Sequence, residues 1–257
     1  MTRKEQWVAF STLTAKEIRR FTRIWPQTLL PPAITMSLYF VIFGNLVGSR
    51  IGDMGGFDYM QYIVPGLIMM SVIQNSYSNV VSSFYSTKFQ HSVEELLVSP
   101  MSPLVILCGY VAGGVARGLM VAAVVTTLAL FFTQLSLTHA AVTFLVIVLT
   151  AVLFALAGFI NAIFANSFDD ISIIPTFVLT PLTYLGGVFY SIDLLPEFWR
   201  SVSMLNPVLY MVNSFRYGVL GVSDVNVVFS ISAIVGFTTV LFVFSWWLLH
   251  RGVGIRH

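Results

Sequence analysis

Apolar positions along this chain come in long blocks, and its polar residues gather in the gaps. Six blocks reach or exceed the roughly 20 residues needed to cross about 30 Å of hydrocarbon at about 1.5 Å per residue. They are approximately 26–48, 60–86, 104–133, 140–165, 171–190 and 225–249. None shows the ten-residue alternation of a barrel strand, and backbone groups in lipid must be bonded within the segment or a closed barrel, so helices are predicted. The predicted fold is an all-α polytopic membrane protein with six transmembrane helices, organised as one transmembrane domain over 1–257.

Three intervening stretches carry patterns of their own. In "WVAFSTLTAKEIRRFTRIW", Trp7, Phe10, Thr14, Ile18, Phe21 and Trp25 share one helical face, with Lys16, Arg19, Arg20 and Arg23 opposite. This pattern predicts an amphipathic interfacial helix over 1–25, held at an anionic surface by about 1 kcal/mol per basic residue; the simpler alternative is a topology signal alone. In "EELLVSPMSP", a short helix near 92–99 has Glu94 and Glu95 in its first turn, where the helix dipole favours anions. Pro100 and Pro103 stop it. Eight residues do not hold a helix in water unaided, so this element either needs a partner or is only a capped turn. Between blocks five and six, Pro196, Pro207, Gly218 and Gly221 break an apolar, aromatic segment that also holds Arg216. Two short re-entrant helices, roughly 194–204 and 207–219, fit it; one further span is the alternative, disfavoured by Arg216 and the glycines.

Composition agrees with this reading: 57% hydrophobic against 9% charged residues and a mean hydropathy of +0.86 lie outside the range of soluble domains. Charge then supplies direction. Arg3, Lys4, Lys16, Arg19, Arg20, Arg23, Lys88, Arg251 and Arg256 fall on one side of the six blocks, and only Arg50, Arg200 and Arg216 on the other. By the positive-inside rule both termini are cytoplasmic, with 26–250 as the six-span bundle and 251–257 as a cytoplasmic tail. A net charge of +2 gives no reason to expect nucleic acid. The first apolar block is too long for the core of a signal peptide, so cleavage is not expected.

Chemistry within the blocks is sparse. Arg117 is the one clearly intramembrane charge, and no carboxylate lies within a predicted span. The four histidines map to block ends, the single cysteine, Cys108, rules out a disulfide within the chain, and no metal-binding or nucleophile motif occurs. An intramembrane enzyme is therefore disfavoured. Block two differs, because "QNSYSNVVSS" gathers Gln74, Asn75, Tyr77, Ser78 and Asn79 in an uncharged polar run. Such residues either bond helices together or line a transport path.

At "KEIRRFTRIWPQTLLPP", "FQHSVEELLVSPMSP" and the block from "FDDISIIPTF" to "MVNSFRYG", the chain resembles the membrane permease subunits of bacterial type 2 ATP-binding-cassette exporters. The resemblance covers essentially the whole chain and is nearest the short, single-domain permeases grouped with antibiotic, nodulation-factor and polysaccharide exporters. It implies that the loop between spans 2 and 3 is a coupling helix seated in a separate ATPase subunit. That role falls on Glu94, Glu95, Leu96, Leu97 and Ser99, with Arg19, Arg20 and Arg23 beside it and Asp169 and Asp170 as a minor second contact. It also implies two permease chains, expected as a homodimer, with two ATPase subunits, in the bacterial cytoplasmic membrane. The path would be lined by the polar residues of span 2 with Phe177, Thr180 and Tyr184 of span 5, and gated outside by Pro196, Pro207, Tyr210 and Arg216. Neither Lys4, Lys16 nor Lys88 sits in a GxxxxGK[ST] loop. No cofactor is thus expected in this chain, ATP and Mg being bound by the partner. The implied activity is export of an amphipathic or lipid-linked substrate, of the drug, glycolipid or polysaccharide type; an ion-coupled secondary transporter or channel is the alternative.

Overall fold

Thr2 opens the first helix with a reciprocal cap: its backbone N–H donates to Glu5 Oε2 at 2.9 Å and its hydroxyl accepts from Glu5 N at 3.4 Å. The computed structural model describes residues 2–254, apart from the side chains of Asn45, Ser49 and Leu97. Helix α1 (Arg3–Arg23) ends at Ile24, where Trp25-Pro26 starts α2 (Trp25–Thr28); Pro31 and Pro32 then lie in the first turn of α3 (Leu30–Tyr39). A π-helical stretch, Phe40–Val47, and α4 (Gly48–Ile51) complete the first apolar block. Prolines at helix starts cost no hydrogen bond but redirect the chain, so this block is jointed rather than straight.

A two-residue hairpin follows, β1 (Asp53–Met54) against β2 (Phe57–Asp58), turned by Gly55 and Gly56 at φ 60° and 82°. A tight primed turn needs positive φ at both places. Asp58 caps α5 (Tyr59–Phe89), whose 31 residues span about 46 Å. His91, at φ 56°, turns the chain into α6 (Ser92–Val98), and Ser102 with Pro103 starts α7 (Pro103–Ala129). Then come α8 (Ala140–Phe164), α9 (Asp170–Ile174), a π-helical turn Pro175–Leu179, α10 (Thr180–Tyr184), a 3-10 turn Ile192–Leu194, α11 (Glu197–Met204), α12 (Pro207–Leu220) and α13 (Val227–Arg251).

The chain is an all-α polytopic membrane protein, with four segments among the described residues both long and apolar enough to cross a bilayer: Trp25–Gly44, Pro103–Ala129, Ala140–Phe164 and Val227–Arg251. Helix α5 has the length, but its Gln74–Ser83 run lowers its hydropathy. The fifth apolar block departs further from expectation. Its helical part runs only from Asp170 to Tyr184, with Pro175 and Pro181 inside and Gly186-Gly187 turning the chain beyond it. Fifteen residues cover about 22 Å, less than a hydrocarbon core. The segment 207–219 is helical as predicted, yet α12 is not a surface element. Met211, Val212, Phe215, Val219 and even Arg216 are buried, because α12 packs against α5, α8 and α13.

Helices α5, α7 and α8 form the centre, and glycines set their spacing. A Cβ at Gly158 would lie 2.5 Å from the Tyr77 carbonyl oxygen, and one at Gly114 would meet Val80, Ala155 and the Ser76 carbonyl. Close backbone approach of this kind is how membrane helices gain packing without a hydrophobic driving force. Gly158→Ala is therefore expected to cost about 1–3 kcal/mol by forcing α5 and α8 apart. Gly236→Ala, on a part of α13 with nothing within 4 Å of the new methyl, should be neutral or slightly stabilising. Thermal unfolding in detergent compares the two; equal midpoints would refute the packing argument.

Candidate functional site

Helix α1 lies along α7 in parallel register. The Gln6 side-chain amide donates to Pro100 O at 3.3 Å and accepts from Ser102 N at 3.2 Å. Cβ atoms at Gly109 and Gly113 would lie 2.5 Å from Leu13 Cδ2 and Glu17 Cβ respectively. The buried line of α1 is therefore Leu13, Glu17 and Phe21, rotated from the aromatic face that periodicity picks out. Trp7 and Trp25 are exposed, while the basic Lys16, Arg19 and Arg23 face outward as expected.

Glu17 is fully buried, level with Gly113 and so about 15 Å along α7 from Pro103. Arg20 turns inward to meet it: its Nε is 3.4 Å from Glu17 Oε2, and its Nη2 donates to both Asn79 O and Asn79 Oδ1 at 2.9 Å. Arg20 thus leaves the basic surface and fastens α1 to α5. Sequence reasoning missed Glu17. The available signal was the spacing Gly109–Gly113 and Gly114–Gly118, which marks a face of α7 for close helix contact and makes an acid opposite it conspicuous.

One turn further along both helices sits a second polar layer. Arg117 Nη2 donates to Asn75 Oδ1 at 3.1 Å, and Arg117 Nε is buried without a partner. These groups border a cavity of about 250 Å³ whose walls include Gln27, Thr35, Gln74, Asn75, Ser78 and Arg117. The polar run of α5 is thereby divided. Gln74, Asn75 and Ser78 reach the cavity, but Tyr77 turns to α8, where Asn161 Nδ2 donates to its hydroxyl at 2.7 Å, and Asn79 is taken by Arg20. Nor do Phe177, Thr180 and Tyr184 line the cavity. Phe177 is 73% exposed, the Thr180 hydroxyl bonds Pro175 O, and the Tyr184 hydroxyl meets that of Tyr39 at 3.3 Å.

At the opposite end of α5, Lys88 donates to Ile163 O and Ala165 O at 2.6 and 2.9 Å, capping α8, and α6 begins just beyond. Val93 is buried, Leu96 is half-buried, and Glu94 and Glu95 are exposed; the Leu97 side chain lies outside the described residues. Ser99 is tied to Leu96 O at 2.6 Å, and Val98 is 87% exposed. Nearby, Asp170 accepts from Asn166 N and Ser167 N at 2.9 and 3.1 Å, while Asp169 is exposed. The Asn166 backbone bond is the largest of the effects that hold the Asp170 carboxyl below the ordinary range.

Among the residues expected at the outer face, Pro196 is exposed in the turn before α11, Pro207 starts α12, and the Tyr210 hydroxyl holds Met204 O at 2.6 Å. Arg216 is fully buried: its Nε donates to Tyr62 O at 3.2 Å and its Nη2 to Gly187 O at 2.7 Å, with its guanidinium 3.9 Å over the Tyr62 ring.

A family model described as ABC-2 type transporter matches residues 8–220, which takes in the Leu13 and Glu17 contacts of α1, both polar layers, α6 and α12. The chain belongs to that family. It is 60% identical over 250 residues to the inner membrane transport permease YadH of Escherichia coli strain K12, covering 97% of this chain and 98% of YadH. It is 26% identical over 218 residues to nodulation protein J of Rhizobium leguminosarum bv. trifolii, covering 83% and 82% of the two chains. The nodulation protein J of Neorhizobium galegae is 23% identical over 250 residues, 95% of this chain and 93% of its own. Membership of the ABC-2 family makes the chain a permease subunit, the membrane part of a transporter rather than an enzyme.

Proposed function

We propose that this chain is the membrane half of an ATP-driven exporter in a bacterial inner membrane, with six membrane segments of which the fifth is short and broken by prolines, both termini cytoplasmic, and α6 as the element that receives force from a separate ATPase. Two copies pair with two ATPase subunits, which bind ATP and Mg; closure of the ATPases pushes α6, and the push passes into α5 and α7. The observation that carries this reading is α6 itself. Seven residues are too few for a free helix, yet it presents Glu94, Glu95 and the bare Val98 to solvent while Val93 and Leu96 hold it to the bundle. Gln6 fastens the loop after α6 to α1, so a displacement of α6 has two routes inward, through α5 and α7 and through α1. The exposed apolar faces of α3 and α13, with Ile34, Leu38, Phe237 and Val240 outward, supply surface for lipid and for the second permease chain.

Solubilising native membranes in mild detergent and identifying what copurifies with the tagged chain tests this. The expected companion is a soluble protein with a GxxxxGK[ST] loop in equal amount, retained at least tenfold less by Glu94→Ala/Glu95→Ala. A chain that comes out alone and carries solute into liposomes without ATP would overturn the assignment.

A further inference from the structure

We propose that the cavity between α3, α5 and α7 is an oxyanion site, in which Arg117 holds the phosphate- or carboxylate-class headgroup of an amphiphile. This rests on the exporter reading and names the substrate chemistry for it. Three observations carry it. First, charge in the paired layers does not balance. Glu17 is bonded to Arg20, and no carboxylate pairs with Arg117 among the described residues, leaving two guanidinium groups against one acid. An unneutralised charge within a membrane helix is costly and marks a functional position. Second, the cavity walls suit an anion. Gln27, Gln74, Thr35 and Ser78 bring neutral amide and hydroxyl donors, and none of the lining residues is acidic. Arg117 spends one of its nitrogens on Asn75, which fixes the guanidinium in place, and its buried Nε is still without a partner. A guanidinium held in place at a cavity wall is a planar, permanently charged donor of the kind that binds oxyanions.

Size is the third observation. About 250 Å³ falls below the roughly 300–1,000 Å³ of pockets that enclose drug-sized ligands, so a headgroup fits and a whole amphiphile does not. The apolar remainder would stay outside the cavity, where Ile34 and Leu38 of α3 are exposed. Because Gln27 to Thr35 open the first span, a cytoplasmic N-terminus sets the site in the inner half of the bundle, within reach of a headgroup in the inner leaflet.

The test uses the full chain in mild detergent, titrated with dioctanoyl phosphatidylglycerol or dioctanoyl phosphatidylcholine and followed by native mass spectrometry. The anionic probe is expected to bind at least tenfold more tightly than the zwitterionic one. Arg117→Gln should abolish the difference, and Arg117→Lys should keep part of it. Should Arg117→Gln fail to fold, Gln74→Leu and Thr35→Val, which leave the Arg117–Asn75 bond in place, are expected to weaken the anionic probe severalfold. Equal binding of the two probes, or a preference untouched by every variant, overturns the site. Extracts of the chain from native membranes separate the sources. An anionic species lost with Arg117→Gln supports the site, as cargo if enriched over the bulk membrane and as a resident lipid if not; retention independent of Arg117 counts against it. No ATPase enters these measurements, so their failure leaves the exporter reading standing.

Discussion

Arg216→Ala should lower the stability of the whole chain more than either Gly158→Ala or Glu17→Ala. Arg216 donates to two carbonyls, on α5 and in the turn after α10, and stacks on Tyr62. The Tyr62 hydroxyl in turn donates to Asp224 Oδ1 and Oδ2 at 3.3 and 3.2 Å, and that carboxylate also accepts from Ile192 N at 3.1 Å. Asn213 completes the knot by accepting from Asp224 N at 3.0 Å. Alanine would strand Gly187 O without a partner, at about 1–3 kcal/mol, remove the second bond that Tyr62 O accepts beside its helical one, and leave the acid without its nearby cation. A total of roughly 3–5 kcal/mol is expected. Arg216→Lys should recover little, because an ammonium cannot bridge both carbonyls and stack at once. Unfolding of the detergent-solubilised protein reads the effect, and an unchanged midpoint would show that the knot does not hold this corner together.

The second large effect is expected at Glu17. Glu17→Ala leaves Arg20 facing the bundle without its counter-ion, and loss of one partner from a buried pair costs roughly 3–5 kcal/mol; the low end applies because the Arg20 side chain is 31% exposed. Glu17→Ala/Arg20→Ala should be more stable than Glu17→Ala alone, since the stranded charge goes with it. That ordering is the diagnostic: a double-mutant cycle with no coupling between the two positions would exclude the pair as the fastening of α1. If the chain couples to an ATPase as proposed, complexes carrying Glu17→Ala should hydrolyse ATP with less transport per turnover, because α1 would be one of the two routes from α6 into the bundle.

How far these sites were legible before folding differs residue by residue. The apolar blocks were legible because hydrocarbon imposes one length on every crossing helix, and α6 and α12 because proline and glycine mark their ends. Block five was overestimated: Pro175, Pro181 and the Gly186-Gly187 turn were in view, but composition alone does not say where a helix stops being straight. Arg216 was visible as a charge and was assigned to a gate, whereas its burial depends on carbonyls of Tyr62 and Gly187, 154 and 29 residues away. For the α5 polar run, periodicity groups Gln74, Asn75 and Ser78, but which neighbour meets Tyr77 or Asn79 is a property of α8 and α1.

The sequence by itself determined that this chain lives in a membrane, that it is helical, and that a short acidic stretch stopped by prolines interrupts the apolar blocks. These follow from local rules: bilayer thickness, backbone hydrogen bonding and helix capping act on contiguous residues. Only the tertiary structure decided that Glu17 is buried, that Arg20 leaves the basic face, and that Arg117 lines a cavity with no carboxylate beside it. In each case the energy of a charge depends on partners brought from distant segments, and glycine spacing on α7 determines which partners arrive.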